Sequence, residues 1–180
     1  MKKNGLIDDK YELILKEFQT ILSVFYLLLV MIGMFFSYSK YSQFGINIFQ
    51  YSDISDFLLT PFRDTIIFIF SFITVLVVYL VYKFKNKFSK FNFGLLKSKP
   101  ILSIIVMFFI FLIIFSEKYG EMNKNRILTK PNIIEITLTN GISKKGNLIG
   151  KNNGYIFLLE KENEVNIYPI SNSINIINIK

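Results

Sequence analysis

TIIFIFSFITVLVVYLVY, residues 65–82, runs for eighteen positions without Asp, Glu, Lys or Arg. A bilayer core of about 30 Å is crossed by roughly 20 apolar helical residues, and this stretch is apolar on every face rather than along one stripe. Two further stretches read alike. Residues 21–38 (ILSVFYLLLVMIGMFFSY) and 101–116 (ILSIIVMFFIFLIIFS) also lack charge. The last is short, and lysines snorkelling at its flanks complete its crossing. With 52% hydrophobic residues and a mean hydropathy of +0.42, the chain is too apolar for a water-soluble globule of its size. The expected fold is α-helical and membrane-embedded over residues 20–116, with three transmembrane helices at 21–38, 65–82 and 101–116.

The formal charge of +8 is concentrated between the second and third stretches, where Lys83, Lys85, Lys87, Lys90, Lys97 and Lys99 occur with no acid. Beside membrane helices such a cluster sets topology and contacts anionic lipid, which makes lipid the expected partner and nucleic acid an unexpected one. Counting Lys and Arg near the spans puts the N-terminus and this loop in the cytoplasm and, with three spans, the C-terminal part outside. A bacterial cytoplasmic membrane and a multi-pass chain are the expected setting. Tyr38, Tyr41, Tyr79 and Tyr82 stand at span ends, the level at which amphipathic rings settle.

Cysteine and histidine are both absent. That removes disulfides, thiolate metal sites, the commonest general base and the near-neutral pH switch. No catalytic, metal or cofactor site is expected. No ionisable residue lies inside a span, which argues against a pump, a secondary transporter or a voltage sensor.

Ahead of the first span, residues 1–19 read as an amphipathic juxtamembrane helix. Asp8 or Asp9 caps it, Glu12 and Lys16 pair one turn apart, and Ile7, Tyr11, Ile14, Phe18, Ile21 and Phe25 form a stripe that continues into the span. Between the first two spans, Ser52 or Asp53 caps a short helix in which Ile54, Phe57 and Leu58 share a face and Pro61 is the stop. This segment packs on the membrane surface or over the helices. The N-terminal half resembles segments of small bacterial membrane proteins, which assigns it no activity.

After residue 116 the character changes. Residues 117–132, with Gly120, Asn123, Asn125 and Pro131, read as a linker. Residues 133–180 then read as a separately folded small β domain. Ile134, Ile136 and Leu138 alternate with Glu135, Thr137 and Thr139, the period of a strand with one buried face. Asn140-Gly141 is a tight-turn signal, and further strands follow at 145–149, 155–160, 165–170 and 174–179. Five short strands in about fifty residues suit a small, strongly bent barrel.

Here the residues carry a resemblance. Leu138, Asn140-Gly141, Gly146 and Leu148, with Gly150 beyond them, resemble the first motif of the Sm-like (LSm-type) barrel, a five-stranded SH3-like fold. The resemblance implies self-association into rings through edge strands. It does not bring that family's RNA pocket, because the polar position after the motif falls on Ile156 and no arginine follows Arg126. The tail IYPISNSINIINI is similar to a strand start in small-conductance mechanosensitive channels, but their Gly/Ala-rich pore helix is missing here. Two non-enzymatic functions follow. One is a homo-oligomeric sensor or membrane-perturbing, pore-type effector whose β domain oligomerises or takes a ligand. The other is a membrane anchor whose β domain docks a partner protein.

Overall fold

A computed structural model describes residues 3–83, 100–160 and 164–179. The N-terminal stripe and the first apolar stretch form one unbroken 40-residue helix, α1 (Lys3–Ser42). A 3-10 turn (Ile48–Gln50) follows, opened by Asn47, whose side chain accepts from the Phe49 N–H. Next come α2 (Ile54–Arg63), α3 (Thr65–Lys83) and α4 (Pro100–Thr129). Asp53 caps α2 through a capping box with Asp56. Pro61 does not stop α2, which continues to Arg63. What Pro61 removes is the N–H that would bond the Phe57 carbonyl. That carbonyl lies against Gly33 of α1, where a Cβ would sit 1.9 Å from its oxygen.

The helices run up, down and up. Leu112 of α4 clusters with Ile32 and Phe36 of α1, and Gly120 lies against the Ser39 carbonyl, so α1 and α4 are parallel. Tyr119 bonds Asp64 at the start of α3, while Phe115 meets Phe70 further along it. α3 therefore runs against α4. Gly33 and Gly120 permit the close approach of α1 to α2 and to α4, as small residues do between helices in lipid.

Among the described residues one helix, over Ile14–Ser42, is long and apolar enough to cross a membrane; α2 with Thr65–Val77 passes the same test only as a pair bent by 97°. The three crossing helices of the sequence reading are thus supported at one, with the bent pair as a second. Phe68, Ile69, Phe72 and Ile73 of α3 and Ile110, Phe111, Ile114 and Phe115 of α4 all face outward, an apolar exterior of the kind that marks an interaction surface.

Residues 117–129, read as a linker, instead continue α4 as helix. Their polar composition marks the end of the apolar stretch and not the end of the helix. Lys118 pairs with Glu121, and Asn123 returns its side-chain amide to the Tyr119 carbonyl.

The strands are β1 (Ile133–Leu138), β2 (Ser143–Lys151), β3 (Tyr155–Leu159), β4 (Val165–Pro169) and β5 (Ile174–Ile179), with one helical turn (Ile170–Ser173) before β5. They form one sheet in the order β4-β3-β2-β1-β5, each neighbouring pair antiparallel. The expected closed barrel does not form. β4 and β5 do not pair with each other and remain the two edges of an open sheet. Register shifts at Leu148/Gly150 and at Thr137/Leu138 bend it. Ile134, Ile136, Ile156 and Leu158 form the core on one face. The other face is not free either. Phe157 and Ile149 share a cluster with Val30, Tyr41, Ile46, Ile48 and Phe57 of the helical part. β3 is covered on both sides, which explains its unbroken apolar run YIFLL. The β unit is thus built onto the helices and does not stand apart from them.

Candidate functional site

The polar side chains of the helical half converge where the sheet lands on it. Gly150 makes the approach possible. A Cβ there would sit 2.3 Å from the Tyr41 hydroxyl and 3.1 Å from Lys40 Nζ, so only glycine lets β2 lie this close to α1. Tyr41 packs its ring on Phe157 at 4.8 Å between centroids.

Next to Gly150, the β2–β3 turn locks onto α2 and the segment before it. Asn152 donates to the Tyr51 carbonyl (2.7 Å) and to Ser52 Oγ (2.9 Å). Its own carbonyl oxygen accepts from the N–H groups of Gly154 and Tyr155. All of its principal hydrogen-bonding capacity is thereby used. The Asn153 N–H donates to Asp56 Oδ1 (3.3 Å), and Arg63 donates to Asn153 Oδ1 (3.2 Å). Arg63 also stands 3.6 Å from Asp56, a carboxylate that is itself buried.

Asp64 sits at the corner between α2 and α3 in extended conformation. Its Oδ1 accepts from the Ile66 and Ile67 N–H groups, capping α3, and its Oδ2 accepts from the Tyr119 hydroxyl at 2.9 Å. Burial pushes the Tyr119 pKa well up, and the Asp64 carboxylate beside it adds to the shift. A cavity of about 140 Å³ lies between these groups, bordered by Lys40, Tyr41, Asp56, Arg63, Asp64 and Tyr119 on the helical side and by Lys151 and Asn152 on the sheet. Among the described residues no three His, Cys, Asp or Glu side chains are grouped to hold a metal ion.

The residues singled out in the sequence are placed as follows. Lys83 ends α3, its Nζ 5.8 Å from the Tyr79 ring centroid. Lys85, Lys87, Lys90, Lys97 and Lys99 lie outside the described residues. Leu138 and Leu148 pack on the inner core of the sheet. Asn140 accepts from the Ile142 N–H, and Gly141 has φ +81°, the left-handed region that glycine tolerates. Gly146 pairs with Ile134, and a Cβ there would meet the Leu159 carbonyl at 3.0 Å. Of the motif, only Gly150 reaches the junction. Lys40, Asp56, Arg63, Asp64 and Asn152-Asn153-Gly154 belong to no motif read from the sequence. Their meeting spans about a hundred residues. The one local signal is an Asn with a second Asn and a Gly after it, more side-chain amide than a turn needs.

Compared with protein-family models and with curated proteins, the chain matches none.

Proposed function

We propose that this chain is a non-enzymatic, multi-pass membrane protein of the bacterial cytoplasmic membrane that acts as a homo-oligomer, a sensor or pore-type effector. In this reading α1, α3 and α4 are three spans, and the sheet is an Sm-like module joining protomers edge to edge. The observation that carries the reading is the pair of sheet edges that no other strand among the described residues covers, on a unit already fixed to apolar-faced helices. Hydrogen-bond alternation identifies the free groups. Glu160 N–H bonds Glu164 O, and Ile170 N–H bonds Gly154 O. The intervening pairs alternate, which turns the Val165 and Ile167 N–H groups away from β3. On the other edge, Leu138 N–H bonds Ile142 O and Leu148 N–H bonds Asn132 O. Even-numbered β1 residues thus bond β2 and odd-numbered ones bond β5, and the Ile177 N–H points outward. An unblocked edge of this kind is a template for another strand.

The up-down-up course supports the expected topology. The C-terminal ends of α1 and α4, the start of α3 and the sheet all gather at one end, opposite the N-terminus of α1. Light scattering of the full chain in detergent tests the reading. One defined multiple of the protomer mass supports it, and a monomer overturns it. An edge that takes a strand from a different protein, by β-augmentation, corresponds to the anchor reading and leaves the purified chain monomeric.

A further inference from the structure

The junction cavity has a charge imbalance that the protein does not resolve. Both of its carboxylates are used. Asp56 pairs with Arg63 at 3.6 Å and accepts from Asn153 N–H and from Asp53 N–H. Asp64 accepts from Tyr119 and from two N–H groups of α3. Two of its three cations, Lys40 and Lys151, are not used in this way. Among the described residues Lys40 and Lys151 make no ion pair within 4 Å and no hydrogen bond. Lys40 is half-buried, and its ammonium sits by the Tyr41 ring, 5.2 Å from the centroid. Asp64 and Arg126 are the charges that act on it, and they oppose each other. Tyr41 is buried at 6% exposure, yet its hydroxyl, bordering the same cavity, has no hydrogen-bond partner among the described residues.

The Lys40 ammonium and the Tyr41 hydroxyl, both open to the cavity, surround one space with a further cation at the mouth and the Arg63 guanidinium. About 140 Å³ accommodates a small cluster of waters or one tetrahedral oxyanion. We propose that the junction cavity binds a phosphate group, held by Lys40, Lys151, Arg63 and the Tyr41 hydroxyl. The group comes from free phosphate or from a phospholipid headgroup, since the exposed Tyr38 at the end of α1 marks the headgroup level. Bound there, it cross-links α1, α2 and β2, the elements that join sheet to helices.

The test uses the full chain in a phosphate-free maltoside detergent. Inorganic phosphate is titrated by calorimetry, and native mass spectrometry reads any retained phospholipid after exchange into phosphatidylglycerol nanodiscs and back into detergent. Phosphate binding that weakens at least tenfold in Lys40→Met and in Lys151→Gln, and holds in Lys118→Gln, assigns the site to the free anion. A retained phospholipid that is lost in the same two variants assigns it to the headgroup. Lys151 is exposed at the mouth, so its variant remains informative if Lys40→Met does not fold. Folded wild-type protein that takes neither phosphate nor phospholipid overturns the proposal, and so does binding that both substitutions leave unchanged.

Discussion

At the scale of single residues the junction depends on atoms that are present and on one that is absent. Adding a methyl at Gly150 drives it onto Tyr41 and Lys40. Gly150→Ala is expected to destabilise the protein by about 1–3 kcal/mol, the usual cost of overpacking. Tyr41→Phe in the same chain should restore part of this, because the nearest atom is the hydroxyl. Gly33→Ala should find no such rescue, since its obstacle is the Phe57 backbone. Thermal unfolding in detergent, read by circular dichroism, separates the two. Asn152→Ala removes two donated and two accepted hydrogen bonds and should cost about 1–3 kcal/mol. Asn152→Asp keeps the shape and the accepting half, and it isolates the part played by the bonds to Tyr51 and Ser52. Tyr119 gives the junction an alkaline limit. Its folded pKa is raised, so the stability it contributes is complete below about pH 10, where an unfolded phenol ionises. That stability is lost as pH rises toward the folded value. Tyr119→Phe should weaken the protein at neutral pH by about 1.5–3 kcal/mol, the range for a hydrogen bond to a charged group. The same change should reduce the alkaline loss of stability, measured as unfolding free energy against pH.

At the scale of elements, the two sheet edges are the testable parts. Val165→Pro and Ile177→Pro each delete an outward-facing N–H while sparing the hydrogen bonds within the chain. Either should lower the mass of the full chain in detergent to that of the protomer. Persistence of the multimer in both variants would place its contacts in the helices. The strands were legible because period-two alternation and Asn140-Gly141 are local signals. The helix over 117–129 was not. Gly120 and Asn123 are helix-weakening by propensity, and what holds them helical is packing: Gly120 fits the Ser39 carbonyl, and Asn123 is buried. Closure of the sheet is illegible in the sequence for a similar reason. A strand count says how many strands there are, but whether β4 meets β5 depends on register shifts and twist. The junction was legible only in pieces, since no sequence spacing announces that Lys40 lies beside residue 150.

At the scale of the molecule, the sheet rests on the segment between α1 and α3. Reporter fusions after residues 45 and 180 must therefore read the same side of the membrane, whatever the number of crossings, and opposite readings would contradict the fold. A fusion after residue 92 should read cytoplasmic, where its lysines belong. Carbonate washing should leave the protein in the membrane pellet. α1 carries a mechanical consequence. Its positions from Ile14 to Leu27 are exposed, and burial begins with Leu28 and Leu29. From there Gly33 and Ser39 hold it against α2 and α4. At 1.5 Å per residue the gripped part is about 21 Å long, and the part ahead of it, back to Lys3, about 38 Å. A stiff rod held by its last third is a lever of nearly two to one. Any tilt imposed on the far arm arrives at the Tyr41–Phe157 contact at about half the travel and nearly twice the force.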